Sequence, residues 1–312
     1  MNRVDFGRLV ASLRKEHDDE DGNPWSQATL AREANLAVGA EVFSENVIRK
    51  IERGRRVLDQ QTLLALATAL QLTSGERKEF FLAASGVDNE SIALRDHDPE
   101  EILGQLIERM KQSCLPAFII DSYYDIVAFN STTVDLLDLS LDGLVLGPME
   151  SQPLPLNMFR VAFSDPVIRH LGERLGEQWE GLVRQTMMLF RTVTLRYRST
   201  DYFHDLLTEL NRKPLFKRYW REAYIDEKDH VVDNRHICFK STRWGPMRSF
   251  PATVTALTTA GELHLCIYIP TTPETVMAFH EALRQVGSQK AYRVDGWPKK
   301  DAPVGKRLRP VR

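Results

Sequence analysis

Two stretches near the start of the chain decide the fold of its first part: SQATLAREA at residues 26–34 and SENVIRKIERG at residues 44–54. Each begins with a serine, a residue type that caps helix N-termini well, and the second ends at Gly54, a residue type preferred just after a helix. Their apolar residues recur at spacings of three and four: Leu30, Ala31 and Ala34 in the first stretch, and Val47, Ile48 and Ile51 in the second. This spacing predicts two amphipathic helices, each with one buried face, joined by a polar connection over residues 35–43.

Further helices are predicted on both sides of this pair. The apolar spacing places them at residues 4–16, about 60–70 and about 74–84. Five short helices within residues 1–86 predict a compact all-α domain. Residues 87–100 are acidic and contain a proline, which is typical of an interdomain linker.

The pattern changes beyond this linker. Short apolar runs at residues 116–120 and 126–130, separated by a polar turn, predict a β-hairpin. Helical spacing follows, most clearly at about residues 173–197, then strands at 236–240, 249–257 and 263–269 and a last helix at about 273–286. These elements predict an α+β domain at residues 101–288 with one antiparallel sheet of about five strands, followed by a basic tail, residues 289–312, that we expect to be disordered.

Length and composition indicate an ordinary two-domain protein. The 312 residues carry 41 Lys and Arg against 43 Asp and Glu, a formal net charge of −2. No apolar run is long enough for a membrane helix, and the first residues lack the apolar centre of a signal peptide, so we expect a cytoplasmic protein without a membrane partner. The three cysteines have neither a CxxC spacing nor an even number, which predicts no disulfide framework and no metal site.

The two opening stretches resemble the helix-turn-helix of XRE-type, lambda-repressor-like bacterial transcription regulators, whose pattern is S-Q-x-x-L-A followed by S-x-x-x-I-x-x-I-E-x-G. The resemblance covers about residues 5–86, although the connection at residues 35–43 is longer than the usual turn. It implies that the second of the two helices lies in the major groove of double-stranded DNA. It also implies a homodimer on a pseudo-palindromic operator.

Polar residues on the second helix fit this role. With the apolar residues facing the core, Glu45, Asn46 and Arg49 are suited to read base edges, because Arg pairs with guanine, Asn with adenine, and Glu accepts from cytosine. Basic and polar neighbours are suited to the DNA backbone. The candidate DNA-contacting residues are Gln27, Ser44, Glu45, Asn46, Arg49, Lys50, Arg53, Arg55 and Arg56. The alternative is that these side chains only solvate a helix face.

Charge is unevenly distributed along the chain. Residues 44–56 hold five basic and two acidic residues, and residues 290–312 hold eight basic and two acidic residues. These segments carry +3 and +6, so the remainder carries −11. We expect such a chain to bind DNA selectively, because the acidic remainder opposes loose binding.

Catalytic motifs are absent from the sequence. There is no GxGxxG, GxxxxGK[ST], GxSxG or HExxH pattern, and the eight histidines are scattered. We therefore predict that the chain is not an enzyme and needs no catalytic cofactor.

A second resemblance appears at LPAFIIDSYYDIVAFN (residues 115–130), NMFRVAFSDP (157–166), Trp179, LLTEL (206–210) and FKRYW (216–220). These segments are similar to the PAS-like ligand-binding domain of MmyB-like regulators, over about residues 100–287. The sequence departs from the family at residues 241–246, where a His-Pro step is usual. The resemblance implies a pocket between the sheet and its covering helices, suited to a small apolar ligand such as a fatty acid.

Aromatic and polar residues in these segments are the candidate ligand contacts. They are Phe118, Phe129, Asn130, Asn157, Phe159, Arg160, Phe163, Trp179, Met187, Phe190, Arg191, Phe216, Tyr219 and Trp220. The asparagines and arginines are suited to hold a polar head group, and the rest to contact an apolar body. Three alternatives remain open: a packed core without a ligand, a domain for dimerisation or protein interaction, and a haem or flavin sensor, which the lack of a suitable axial His or Cys disfavours.

Overall fold

A computed structural model describes residues 1–86, 98–136, 156–226, 236–241, 243–258, 261–287, 289–294, 297 and 308–311. The chain forms two compact units. The first comprises Met1–Leu94, Thr186–Glu209 and Lys217–His230, and the second comprises Arg95–Gln185, Leu210–Phe216 and Val231–Arg312. The first unit therefore includes residues of the predicted second domain, residues 101–288. Most of the predicted linker, residues 87–97, lies outside the described residues.

Five helices begin the first unit, as predicted. They are α1 (Arg3–Lys15), α2 (Gln27–Val38), α3 (Glu45–Glu52), α4 (Gln60–Ala69) and α5 (Ser74–Ser85). Both predicted serine caps are confirmed: the Ser26 hydroxyl accepts from the Thr29 amide at 3.0 Å, and the Ser44 hydroxyl accepts from the Val47 amide at 3.4 Å. Gly54 follows α3 with a φ of 66°, the left-handed conformation expected of a residue that ends a helix.

The connection between α2 and α3 is shorter than predicted. Helix α2 continues to Val38 and ends at Gly39, which has a φ of 71°. Asn35, on the last turn of α2, fixes the path that follows, because its side-chain oxygen accepts from the Val42 and Phe43 amides and its NH2 group donates to the Phe43 carbonyl. A side chain thus supplies the bonds that a tight turn would form within the backbone.

One hydrophobic core joins the helices of the first unit. Leu30, Ala31, Ala34, Ile48 and Ile51 are buried in it, as their spacing predicts, whereas Val47 is only half-buried at its edge. Leu195, more than a hundred residues after α5, is fully buried in the same core.

The second unit begins with helix α6 (Pro99–Gln112), and the predicted hairpin follows as β1 (Ala117–Asp121) and β2 (Ile126–Asn130). The helices that follow are α7 (Ser131–Leu136), α8 (Met158–Ala162), α9 (Asp165–Leu175), α10 (Gln178–Thr194), a 3-10 turn (Leu195–Tyr197), α11 (Asp201–Leu210) and α12 (Pro214–Asp226). The chain ends with β3 (Ile237–Ser241), β4 (Gly245–Thr258), β5 (Gly261–Pro270), α13 (Pro273–Val286), β6 (Ala291–Val294) and β7 (Leu308–Val311). The residues of α10 from Thr186, those of α11 up to Glu209 and those of α12 from Lys217 belong to the first unit.

The prediction of one continuous helix over about residues 173–197 is wrong. Helix α9 ends at Leu175, and Gly176 follows with a φ of 54° before α10 begins at Gln178. Apolar spacing continues across the break, so periodicity alone did not reveal it.

The strands of the described residues form one antiparallel sheet in the order β3-β4-β5-β1-β2-β6-β7. In the part of the chain that the structure describes, six strands lie between residues 117 and 294 and β7 adds a short seventh, whereas about five were predicted. Strand β6 comes from the tail that was expected to be disordered. It is ordered because it pairs with β2 and because Ala291 and Val294 are buried.

Helix α6 covers one face of the sheet. Its residues Leu103, Leu106 and Met110 pack with Ile119 of β1 and Leu265 of β5 in a second hydrophobic core. In the described residues no helix is long and apolar enough to cross a membrane.

Candidate functional site

The exposed face of α3 carries the residues predicted to read DNA bases. Glu45, Asn46 and Arg49 are all exposed, whereas Ile48 and Ile51 on the opposite face are buried. A guanidinium nitrogen of Arg49 donates to the side-chain oxygen of Asn46 at 2.8 Å. The three side chains therefore form one polar surface on a helix whose opposite face is buried in the core.

The predicted backbone-contacting residues surround this surface. Lys50, Arg53 and Arg55 are exposed, Arg56 is half-buried, and the exposed Ser44 caps α3. Gln27, however, uses its amide nitrogen to donate to a Glu52 carboxylate oxygen at 2.6 Å. In this structure its side chain connects α2 to α3, so a phosphate contact at this position depends on the backbone at the N-terminus of α2.

Glu52 and Arg14 position α3, and the sequence analysis missed both. The Arg14 Nε donates to one Glu52 oxygen at 2.7 Å and a terminal nitrogen donates to the other at 3.3 Å. Their side chains are only 10% and 8% exposed. A signal was present, because Arg14 lies next to Leu13 and four residues after Val10, on the apolar face of α1.

A groove lies beside the N-terminus of α3. It has a volume of about 750 Å³ and is lined by residues of α2, of the connection and of the start of α3. Leu36, Val38 and Val42 are large apolar residues exposed on α2 and the connection. The groove contains none of the predicted ligand contacts, and its lining includes Ser44 and Glu45, which are predicted DNA contacts.

Nine of the predicted ligand contacts lie in the second unit. Four aromatic rings there contact one another: Phe159 lies 5.6 Å from Tyr124, 6.2 Å from Phe163 and 6.1 Å from Phe216, between ring centroids. Phe118 of β1 and Phe129 of β2 pack against Tyr268 and Tyr292 of neighbouring strands. Trp179, at the start of α10, is half-buried.

The two asparagines predicted as polar anchors are used by the fold. The amide of fully buried Asn130 donates to the Leu115 carbonyl at 2.8 Å and accepts from the Ala117 and Thr133 amides. Buried Asn157 caps α8 and donates to Asp125 at 2.8 Å. Both side chains thus hold the backbone of other segments in this structure, and their contact with a ligand stays a prediction. Arg160, on α8, is buried.

The remaining predicted ligand contacts lie in the first unit. Met187, Phe190, Tyr219 and Trp220 are all buried. Phe190 and Trp220 lie 5.8 Å apart, and each also contacts Phe203, which the sequence analysis missed. The predicted set is therefore divided between the two units, and each unit contains one group of contacting rings, around Phe159 and around Trp220.

Arg191 pairs with a carboxylate of the protein itself. Its Nε and a terminal nitrogen donate to the two oxygens of Glu76, both at 3.0 Å. Arg198 also donates to Glu76, and to Glu16 at 3.0 Å. We call these four residues the Glu76 cluster. In this structure the charge of Arg191 is paired within the chain, and its contact with a ligand stays a prediction.

Burial and charge set the ionisation of the Glu76 cluster. Burial by itself would raise the pKa of Glu76, but the charges of Arg191 and Arg198 outweigh it and lower that pKa to about 2. Burial raises the pKa of Glu16 to about 7, because the charge of Arg198 opposes it only in part. The neighbouring His17 is neutral near pH 7, because burial lowers its pKa to about 4. Among the described residues, no group of His, Cys, Asp or Glu is arranged to hold a metal ion.

Comparison with known proteins identifies the second part of the chain. No curated protein matches the sequence. A family model does match, over residues 100–282, and its description is "MmyB-like transcription regulator ligand binding domain". The match spans more than half of the chain and includes both aromatic groups. The chain belongs to the transcription regulators that have an MmyB-like ligand-binding domain, a family of regulators and not of enzymes.

Proposed function

We propose that this regulator binds double-stranded DNA through α3, as a homodimer on a pseudo-palindromic operator, and that its MmyB-like domain binds a small apolar ligand such as a fatty acid. The observation that carries the first part is the exposed face of α3. Glu45, Asn46 and Arg49 occupy that face, and the buried Arg14–Glu52 pair fixes the helix behind it. A rigid helix with such side chains is what base readout in the major groove requires.

The aromatic groups support the proposal of an apolar ligand. Ligand sites are mostly apolar with few polar contacts, and the rings around Phe159 and around Trp220 provide such surfaces. Since Asn130, Asn157 and Arg191 have partners within the chain, a ligand would be held mainly by its apolar body. A long acyl chain fits this description better than a small polar molecule.

A ligand-free dimerisation or protein-interaction domain is the second candidate. Rings separated by 5.4 Å, as in Phe163 and Phe216, leave no room for an acyl chain between them. Ligand entry would therefore have to separate rings that pack together. Native mass spectrometry of the purified chain distinguishes the candidates, because a retained acyl-chain mass supports the sensor and a bare protein mass after incubation with fatty acid supports the interaction domain.

Replacing Arg49 with alanine tests DNA readout. The probe is a duplex enriched by the chain from a random library of about 30 base pairs, long enough for two half-sites one helical turn apart. Arg49→Ala should weaken binding to this duplex by ~1–3 kcal/mol and leave binding to unrelated DNA almost unchanged.

Lys78→Ala is the matched control, because it removes one exposed positive charge from α5, away from α3. Equal losses on both duplexes for Arg49→Ala would contradict base readout and indicate a general charge effect.

A further inference from the structure

The last turn of α1 is contacted by α3 and by helices that come much later in the chain. Arg14 pairs with Glu52, the last residue of α3. Two residues further, Glu16 accepts a hydrogen bond from Arg198 at 3.0 Å. Ser12, one turn earlier, lies 3.3 Å from a ring nitrogen of His204. We call residues 12–18 the α1 relay.

Asp18, at the end of the relay, forms ion pairs with two residues of α12. Arg221 donates to its carboxylate, and the Lys217 ammonium lies 3.6 Å from the same oxygen. These pairs are partly exposed, unlike the Arg198–Glu16 pair. The relay is therefore bound by Arg198, which directly follows the 3-10 turn, and by α12.

The segment that contacts the relay is built into the first unit. Leu195 lies in the core of α1 to α5, and Arg198 is fully buried. Arg191 and Arg198 bind Glu76 at the start of α5. Yet residues 186–226 lie within the part of the chain that matches the ligand-binding domain. One stretch of that domain is thus part of the unit that carries α3.

Trp220 connects this ion cluster to the aromatic group. The guanidinium carbons of Arg191 and Arg198 lie 5.1 and 4.9 Å from the centre of its ring. Phe190 and Phe203 contact the same ring from other directions. The Nε of Arg198 is buried and finds no acceptor in the part of the chain that the structure describes, so its bonds are incompletely satisfied. A shift of Trp220 would therefore disturb both arginines.

We propose that the α1 relay transmits the position of Arg198 and Trp220 to α3, and thereby sets the DNA affinity of the regulator. If the buried Arg198 loses its position, Glu16 loses its ion-pair partner and Glu76 keeps only Arg191, so α1 must readjust. Helix α3 would then shift as well, because Arg14 lies in the same turn of α1 and is paired with Glu52 at the end of α3. The effect on DNA affinity rests on the proposed function of α3. The connection from Arg198 to α3 through the α1 relay does not.

Arg198→Gln tests the relay in the full-length chain by amide hydrogen exchange and by affinity for the enriched duplex. Exchange of the α3 amides should accelerate at least threefold, since local stability there depends on Arg14–Glu52 (threefold is about 0.6 kcal/mol). DNA affinity should fall by about fivefold or more. Arg196→Gln is the control, because Arg196 lies two residues away and pairs with Glu79, and both side chains are partly exposed.

The outcomes separate the relay from the proposed function. Faster exchange confined to α10–α12, with α3 unchanged, overturns the relay. If no duplex is enriched, the proposal of DNA binding fails. Hydrogen exchange of the α3 amides in Arg198→Gln still shows whether the relay connects Arg198 to α3. If Arg198→Gln does not fold, Asp18→Asn is the second variant, because it removes the partly exposed ion pairs to α12. It should accelerate exchange of the α3 amides. Unchanged exchange in Asp18→Asn likewise overturns the relay.

Discussion

Glu76 stabilises two helices and a distant segment through one carboxylate. It forms a reciprocal cap with Thr73 at the start of α5, where its oxygen accepts from the Thr73 amide at 2.8 Å. The same group accepts hydrogen bonds from Arg191 and Arg198, and its side chain is fully buried. Buried ion pairs contribute little net stability when complete, but losing one partner is strongly destabilising.

Glu76→Gln should therefore lower the free energy of unfolding by about 3–5 kcal/mol, because two buried guanidinium groups lose their main counter-charge. Urea unfolding measures the loss. Glu79→Gln on the same helix removes the partly exposed partner of Arg196 and should change stability by less than about 1 kcal/mol. Similar losses in both variants would show that burial of the Glu76 cluster has no special effect.

Glu16 should make stability depend on pH. Its pKa is raised from 4.5 to about 7 by burial, so between these values the folded chain binds a proton that the unfolded chain does not. Its contribution to stability is fully present below about pH 4.5 and is lost as the pH rises through about 7. The stability of Glu16→Gln relative to the natural chain should thus increase by on the order of 3 kcal/mol from about pH 4.5 to about pH 8.

Unfolding by urea at several pH values measures this difference. His17 titrates in the same range with the opposite sign, because its pKa is lowered to about 4, but it is present in both chains and its effect largely cancels. A difference that is independent of pH would contradict a raised pKa at Glu16.

Local residue roles were predictable and distant partners were not. Ser26, Ser44 and Gly54 act as predicted, because a cap depends only on residues within about four positions. Arg191 was assigned to a ligand, but its partner Glu76 lies 115 residues earlier. Nothing in the local sequence of either residue indicates that pairing.

At the scale of elements, α5 and α10 approach each other closely at Gly75. A Cβ built there would lie 2.4 Å from the hydroxyl oxygen of Thr192 and 3.2 Å from its methyl group. Rotation of the Thr192 side chain would not remove the clash, because it would only place the methyl group where the hydroxyl group is now. The helices can therefore be this close only because residue 75 is glycine.

Gly75→Ala should lower stability by about 1–3 kcal/mol, because the new methyl group forces α5 and α10 apart. Thr192→Ala in the same chain should restore much of this loss, since only ordinary contact with its Cβ remains. Gly104→Ala in α6 is the control: nothing lies near its Cβ, so alanine should stabilise that helix by about 0.5–1 kcal/mol. Thermal unfolding of the natural chain, Gly75→Ala, the Gly75→Ala and Thr192→Ala double variant, and Gly104→Ala checks this order of stability. A Gly75→Ala chain more stable than the natural chain would disprove the close approach of α5 and α10.

Periodicity predicted which elements exist better than where they end. The five helices of residues 1–86 and the hairpin of β1 and β2 are confirmed because each has a local apolar pattern and polar ends. The break at Gly176 interrupts a continuous apolar pattern and was missed. Strand β6 was missed because its four residues acquire a role only by pairing with β2.

At the scale of the whole molecule, the family match and the compact units divide the chain differently. The match covers residues 100–282, but residues 186–209 and 217–230 belong to the unit of α1 to α5. Sequence comparison follows the order of residues along the chain, whereas burial of Leu195 and Arg198 depends on packing. One stretch of the matched ligand-binding domain is therefore part of the unit that carries α3, as the proposed relay requires.

The most direct test of this account is the affinity of the full-length chain for the enriched duplex with and without a saturated long-chain fatty acid, measured by fluorescence anisotropy after lipid removal. Saturating fatty acid should change the dissociation constant by about fivefold or more, because we propose that the ligand and the DNA favour different arrangements of the first unit. An affinity that is the same at every fatty-acid concentration would contradict the claim that the ligand-binding domain controls α3.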